Sequence, residues 1–193
     1  MQVDRLPSTS QGLAVSPAEV LDFWFEETTP KQWWAKSDAF DRLVDARFGV
    51  LHAAAMRAEL YTWRADADGR LAEILVLDQF SRNIHRHRPE AFAGDGMALV
   101  LAQEAVAAGL DRALDPIRRA FLYLPYMHSE SALMHALAVR LFAVPGMENN
   151  LDFELRHQAI IECFGRYPHR NAVLGRPSTA AEIEFLKTPG SAF

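Results

Sequence analysis

Apolar residues recur along almost the whole chain at spacings of three and four, which is the pattern of helices that bury one face. The segment from Phe40 to Leu51 is typical, with apolar side chains at positions 40, 43, 44, 48 and 51. No segment alternates apolar and polar residues for long enough to predict a strand. The pattern therefore predicts an all-α protein of about eight helices, with short connections that make sequence neighbours pack antiparallel.

Capping residues mark where the helices begin. Ser16-Pro17-Ala18-Glu19 combines an N-cap serine, a proline at the first helical position and a glutamate at the third. Further helices are predicted from Ser37 or Asp38, from about Leu71 to Asn83, from Asp95 to Gly109, from Asp115 to near Pro125, from Ser129 to about Ala143, from about Leu151 to Phe164, and from Ser178 or Thr179. We expect residues 1–15 to form a flexible segment and residues 16–193 a single all-α domain, either a bundle or a short α/α superhelix.

Composition narrows the class of protein. Of the 193 residues 50% are hydrophobic, which is enough for a sizeable core. The net charge of -5 gives no global attraction to nucleic acid or to an anionic membrane. The chain also lacks a signal-peptide pattern at its start and any run of about 18 uncharged apolar residues. We therefore expect a cytoplasmic protein that binds neither nucleic acid nor membrane.

The single cysteine, Cys163, excludes an intrachain disulfide and a thiolate zinc site. Because it lies in the apolar run Ile160 to Phe164, we expect a buried, unreactive thiol. The histidines show no His-x-x-x-His pair, and we expect no metal and no cofactor. His52, His135 and His157 lie within amphipathic helices and are interpreted as surface or core-edge residues.

A basic cluster near the C-terminus carries the strongest chemical signal. Residues 164–171 and 174–179 contain Arg166, Arg170 and Arg176 together with His169 and Asn171, and no acidic residue. Such a cluster needs an anion close by. Either carboxylates elsewhere in the chain supply it and the cluster is structural, or a ligand does and the cluster is a binding site.

Charged residues also interrupt the predicted helix around residue 77. Ile74 to Leu77 are all apolar, so this helix should be buried on nearly every side. Asp78 and Arg82 lie one turn apart in the favourable order of acid before base. One interpretation is a buried ion pair that fixes helix positions. The other is a pocket lined by the four polar residues that follow the apolar run, namely Asp78, Gln79, Arg82 and Asn83.

A third polar motif lies at a predicted corner between two helices. Pro125 is expected to end one helix and Ser129 to cap the next, which places His128 and Glu130 between them. A histidine beside a carboxylate can act as a general base. Alternatively, Glu130 only compensates the dipole of the following helix and His128 bonds a backbone carbonyl.

Aromatic residues are concentrated in the first part of the chain. Phe23-Trp24-Phe25 and Trp33-Trp34 are the two dense groups. Such residues usually fill a core. The alternative is that Trp33 and Trp34 line the rim of a pocket or a partner surface.

Four motifs in order resemble the bacterial domain of unknown function family 924. They are Phe23-Trp24-Phe25; Leu77 to Asn83 with Ala91-Phe92-Ala93 and Asp95; Tyr123 to Glu130; and Phe164 to Asn171 with Leu174-Gly175-Arg176 and Ser178-Thr179. The resemblance spans about residues 18–193 and implies a tetratricopeptide-like α/α superhelix, without implying a reaction. Two departures are Ser81, where proline is usual, and His135, where glutamine is common. Ser81 favours a regular helix through Arg82.

Three hypotheses follow for function. In the first, Arg166, Arg170 and Arg176 bind a small anionic molecule, with His128 or His169 as acid or base and Asp78 or Glu130 orienting it. In the second, the protein is a tetratricopeptide-like module that binds a peptide or partner protein, and its charged motifs are structural. In the third, these motifs only stabilise the fold.

Overall fold

The structure is a computed structural model that describes residues 15–191, and within this range the regular elements are all helical and no strand is present. The α-helical segments are α1 (Pro17–Asp22), α2 (Pro30–Trp34), α3 (Asp38–Met56), α4 (Ala67–Leu75), α5 (Ser81–Ile84), α6 (Asp95–Ala107), α7 (Pro116–Met127), α8 (Ala132–Phe142), α9 (Glu148–Phe164) and α10 (Ala180–Phe185). The all-α prediction is confirmed. The segment that we expected to be flexible, residues 1–15, lies outside the described residues except for Val15.

Several predicted helix boundaries are confirmed at the level of the cap. Ser16 and Thr179 both form reciprocal capping boxes, with Glu19 and Glu182 respectively. Gly165 ends α9 in the left-handed conformation, with φ of 69°. These boundaries depend only on neighbouring residues, which is why the sequence locates them.

Other boundaries differ from the prediction because tertiary packing outweighs the local signal. Helix α7 continues through Pro125 to Met127, and every residue from Ala120 to Met127 is buried. Helix α8 begins at Ala132 rather than at Ser129, so Glu130 does not lie in a first helical turn. His128 is the C-cap of α7. The packing of this buried last turn offsets the helix-breaking tendency of Pro125.

Two π turns form the centre of the fold. Helix α1 continues into a π turn at Phe23–Glu27, and α4 reaches α5 through a second at Val76–Phe80. The expectation of a regular helix through Arg82 is therefore wrong for residues 76–80. The Phe80 ring lies 5.6 Å from that of Trp24 and 6.1 Å from that of Phe23, measured between ring centroids. The two π turns thus pack against each other through their aromatic residues.

Most buried apolar residues belong to one cluster, which unites residues of α1, α3, α4, α6, α7 and α8. A smaller cluster joins α9 to Tyr167 through Ile160 and Ile161.

Cys163 is exposed, so the prediction of a buried thiol is wrong. Helix α9 turns Glu154, His157 and Ile161 inward, and Cys163 lies outside that stripe. None of the described helices is both long and apolar enough to cross a bilayer.

Gly94 allows the segment before α6 to lie against the second π turn. A Cβ atom at Gly94 would lie 2.6 Å from the carbonyl oxygen of Leu77, which is a backbone atom that cannot rotate away. Gly94 directly precedes Asp95, the first residue of α6. The missing side chain therefore sets how closely Asp95 approaches the helix that carries Asp78 and Arg82.

We expect Gly94→Ala to lower the free energy of unfolding by roughly 1 to 3 kcal/mol, because the methyl group collides with the backbone at Leu77. Gly96→Ala is the matched control, since a Cβ atom there meets nothing within 4 Å and the residue lies in α6. The control should be neutral or stabilising by up to about 1 kcal/mol. Urea denaturation of both variants measures the difference, and equal stabilities would contradict the close approach at Gly94.

Candidate functional site

The candidate site is built around the carboxylate of Asp78, whose side chain is 1% exposed. Oδ1 of Asp78 lies 2.9 Å from Arg82 Nη1 and accepts a hydrogen bond of 2.8 Å from His128 Nδ1. Oδ2 accepts a hydrogen bond of 2.6 Å from Gln79 Nε2. Burial alone would raise the pKa of Asp78, but the charge of Arg82 and the bonds from His128 and Gln79 hold it well below the usual range. Asp78 is therefore a buried anion.

His128 is oriented by this carboxylate. Its Nδ1 donates to Asp78, which fixes the proton on Nδ1 and leaves the lone pair on Nε2. Nε2 forms no hydrogen bond with any residue in the described range. Burial, together with the charge of Arg82, lowers the pKa of His128 in spite of the attraction of Asp78. The neutral imidazole is then able to accept a proton at Nε2.

Arg82 connects Asp78 to the start of α6. Its Nη1 and Nη2 donate to the two carboxylate oxygens of Asp95 at 2.9 and 3.0 Å, and Nη1 also donates to the backbone oxygen of Asp78. Burial opposes the charge of Arg82, yet Asp78 and Asp95 together raise its pKa. A single guanidinium therefore joins two carboxylates.

Arg170 lies on the other side of Asp95 and is only weakly paired. The residue is 7% exposed, and its guanidinium carbon lies 4.7 Å from the ring centroids of both Phe92 and Tyr167. Its guanidinium makes one hydrogen bond in the described range, from Nη1 to Asp95 Oδ2 at 3.3 Å, and its buried Nε has none. Burial and the neighbouring charge of Arg82 lower the pKa of Arg170. Arg170 is thus a buried cation with unused donors.

The two other arginines of the C-terminal cluster are paired within the chain. Arg166 donates to both carboxylate oxygens of Glu182 at 2.6 and 2.8 Å. Arg176 donates to both oxygens of Glu130 at 2.6 and 2.9 Å, and Glu130 also accepts the backbone N–H of Tyr167. These contacts favour the structural interpretation for Arg166 and Arg176. They also engage Glu130, so the residue that orients His128 is Asp78.

The remaining predicted site residues divide between the site and its surroundings. Asn83 donates from Nδ2 to Asp41 on α3, where Arg86 also binds, so it faces away from Asp78. Asn171 accepts from Arg176 Nε and donates to Ser178, and so supports the Arg176 pair. The ring of His169 lies 5.5 Å from that of Tyr167, and burial, aided by the charge of Arg170, lowers the pKa of His169 to about 4.

Sequence reasoning did not assign a site role to Asp95, Phe92 or Tyr167. Asp95 bonds both Arg82 and Arg170, and the two aromatic rings enclose the Arg170 guanidinium. A signal was present, since a cluster of arginines without acids requires carboxylates from elsewhere in the chain. The sequence could not say which of its many acids would be brought there.

Three histidines expected at the surface or core edge are buried. His52, His135 and His157 are 5%, 0% and 6% exposed. His135 bonds Glu154 through Nδ1 at 2.6 Å, and His157 Nδ1 donates to the backbone oxygen of Phe153. Burial lowers the pKa of His52 to about 4 and that of His157 to about 3. An imidazole with a hydrogen-bond partner is tolerated in a core, which is why helical periodicity misplaced these residues.

Comparison with other proteins agrees with the motifs described above. The family model described as bacterial protein of unknown function, DUF924, matches residues 20–190. A solved structure of a protein of unknown function from Agrobacterium tumefaciens is similar, with a TM-score of 0.84 and 38% sequence identity, covering 89% of this chain and 96% of that one. None of the curated proteins matches the sequence.

We expect Arg166→Met to lower the melting temperature clearly more than Arg170→Met does. The first change leaves the Glu182 carboxylate without its guanidinium, whereas the second leaves Asp95 paired with Arg82. Methionine is used in both cases because it retains an unbranched side chain. Differential scanning calorimetry checks the order, and an equal loss in both variants would make Arg170 a structural residue as well.

Stability should fall as the pH drops from about 6.5 to 4. The folded-state pKa of His52 is lowered to about 4, so the unfolded chain binds a proton in this window while the folded protein does not. The free energy of unfolding then declines with falling pH by up to about 1.4 kcal/mol per pH unit for this one group. His52→Gln preserves a donor to Ser81 and should flatten the slope, as measured by urea denaturation between pH 4 and 7. An unchanged slope would mean that His52 is protonated when folded.

Proposed function

The chain belongs to the DUF924 family, and on that premise we propose that it binds a small anionic molecule at Arg170 and uses His128, oriented by Asp78, as a general base. The observation that carries this proposal is the incomplete pairing of Arg170. A guanidinium offers five donors, and that of Arg170 makes one long hydrogen bond although it is 7% exposed. Keeping such a charge buried is costly unless a further anion binds it.

The charges around Arg170 support an anionic ligand. Arg82 occupies both oxygens of Asp95, and Asp78 is shared between Arg82 and His128. Arg170 therefore shares its one carboxylate partner, Asp95, with Arg82. The Nε and Nη2 edge of a guanidinium can donate two parallel hydrogen bonds to two oxygens of one carboxylate or phosphate group. The Phe92 and Tyr167 rings hold the guanidinium in place for this contact.

The proposed base belongs to the same network as the proposed anion site. Direct contacts run from Arg170 to Asp95, then to Arg82, to Asp78 and finally to His128. A water molecule or ligand hydroxyl at His128 Nε2 would pass its proton to that nitrogen. The resulting imidazolium would keep its Nδ1 hydrogen bond to the Asp78 anion, which stabilises the charge.

The alternative of a peptide-binding module has less support. Trp33 donates from Nε1 to the backbone oxygen of Trp24 and to Thr28, so its polar group is used inside the fold. Trp34 is 61% exposed and stacks on Phe121. One exposed tryptophan does not define a groove. Arg170, by contrast, is a buried cation without a full counter-ion.

We expect inorganic phosphate or benzoate to raise the melting temperature of the wild type, and Arg170→Met to abolish the shift. A ligand that binds only the folded state at one hundred times its Kd adds about 2.7 kcal/mol. Arg42→Met is the matched control, because Arg42 is exposed and forms no salt bridge with a described residue. The shift caused by the anion should persist in this control. It should also persist in wild type when the reference sample contains sodium chloride at the same ionic strength.

A second readout separates binding from the role of His128. In wild type at pH 7, ¹⁵N NMR should show His128 as the neutral tautomer with its proton on Nδ1, and the anion should move the Nε2 resonance. Asp78→Asn should disturb that tautomer. Anion shifts that survive Arg170→Met would overturn the binding site, while a doubly protonated His128 at pH 7 would overturn the base.

A further inference from the structure

An open cavity lies between α3 and the segment that follows α5. Its volume is 390 Å³, within the range of small-molecule pockets. Its polar side is lined by Asp45, His52, His85 and Glu90, and Gly49 and Ala53 of α3 also line it. None of the residues lining this cavity belongs to the network that joins Arg170 to His128. It is therefore a separate site.

The buried His52 presents an unused acceptor to this cavity. Ser81 Oγ donates its only proton to the backbone oxygen of Leu77 at 2.6 Å. The 2.7 Å contact between Ser81 Oγ and His52 Nε2 must then be a bond donated by Nε2. The proton of His52 consequently resides on Nε2, and Nδ1 carries a lone pair. Nδ1 forms no hydrogen bond with the part of the chain that the structure describes, although the residue is 5% exposed.

His85 is the second imidazole of the cavity and is also held neutral. Its ring lies 5.1 Å from that of His52, measured between centroids. Arg88 donates to its Nδ1, so that nitrogen carries no proton. Burial and the charge of Arg88 lower the pKa of His85, while Asp45 and Glu90 oppose this effect. The two histidines therefore add no positive charge to the cavity near pH 7.

Two carboxylates line the same cavity without a cation of their own. Neither Asp45 nor Glu90 forms a salt bridge with any residue between 15 and 191. A Cβ atom at position 49 would lie 2.7 Å from Asp45 Oδ1, so Gly49 leaves room for that carboxylate on the helix surface. Arg88 lies beside the cavity but is engaged with His85. The cavity is thus negative on balance.

This combination of groups selects one class of ligand. Two carboxylates and an imidazole lone pair are acceptors that attract an ammonium group and repel an anion. The remaining walls are largely apolar, with Met56 and Ile84 among them. Within the described residues no group of three or more His, Cys, Asp or Glu side chains could hold a metal ion. We propose that this cavity binds a primary ammonium ion that carries a compact apolar substituent.

Three probes of equal shape and different charge test the proposal. Benzylamine, benzyl alcohol and benzoate are titrated into the full-length protein at pH 7.5, and the Kd of each is measured by NMR from amides around the cavity. We expect benzylamine to bind at least about tenfold more tightly than benzyl alcohol, because only the ammonium pairs with the carboxylates. Benzoate should leave these amides unchanged. Its binding to Arg170 would be seen at other residues.

Substitutions on α3 identify the site of binding. Ala53→Phe places a ring into the cavity without removing a charge, and it should weaken benzylamine binding by at least about tenfold. Val50→Phe is the matched control, because Val50 is 82% exposed on the same helix and does not line the cavity. It should leave the Kd within about twofold. The double variant Asp45→Asn, Glu90→Gln should bring benzylamine close to the affinity of benzyl alcohol.

The proposal is overturned by any of three results. They are no binding of benzylamine at millimolar concentration, equal affinity for benzylamine and benzyl alcohol, or benzylamine binding that is unaffected by Ala53→Phe. If Ala53→Phe fails to fold, the charge-neutralising double variant decides the question, because its side chains are isosteric with the originals. Unchanged benzylamine binding in that variant would equally reject the proposal.

Discussion

The enclosure of one carboxylate, that of Asp78, is the constraint on which the rest of the site depends. A buried anion costs several kcal/mol unless its oxygens are paired. Arg82 and Gln79 come from the same helix, while His128 comes from the end of α7. Helix α7 must therefore continue to Met127, in spite of Pro125, for its C-cap residue to reach Asp78. The π turn and the missing side chain at Gly94 allow the neighbouring segments to close around the same point.

Arginines of one short segment have different physical roles because their partners differ. Arg166 and Arg176 each have a carboxylate to themselves, and these pairs tie the last described helix and the corner at Glu130 to the body of the fold. Arg170 shares Asp95 with Arg82 and lies between two aromatic rings. The number of arginines in a motif is therefore a poorer guide to ligand binding than whether each arginine has a carboxylate of its own.

The parts of the fold that could be predicted from sequence are those set by nearby residues. The caps at Ser16 and Thr179 and the contact between Asp78 and Arg82 depend on positions three or four apart. The bond from His128 to Asp78 and the two bonds to Asp95 join residues far apart in the chain, so periodicity could suggest the participants without assigning the partners. The π turns and the buried His135 are likewise products of tertiary packing, for which the sequence carries no local mark.

The second π turn has a consequence for insertions and deletions in this chain. A residue on an α-helix turns the backbone by about 100°, so removing one residue from α4, while the π turn at Val76–Phe80 stays in place, would rotate everything after it relative to everything before. Arg82 would leave the side that faces Asp95, and Phe80 would leave the rings of Phe23 and Trp24. Length in this segment is therefore constrained as well as residue identity. Insertions and deletions should be accommodated in the connections between helices, where a change of length does not rotate one part of a helix relative to another.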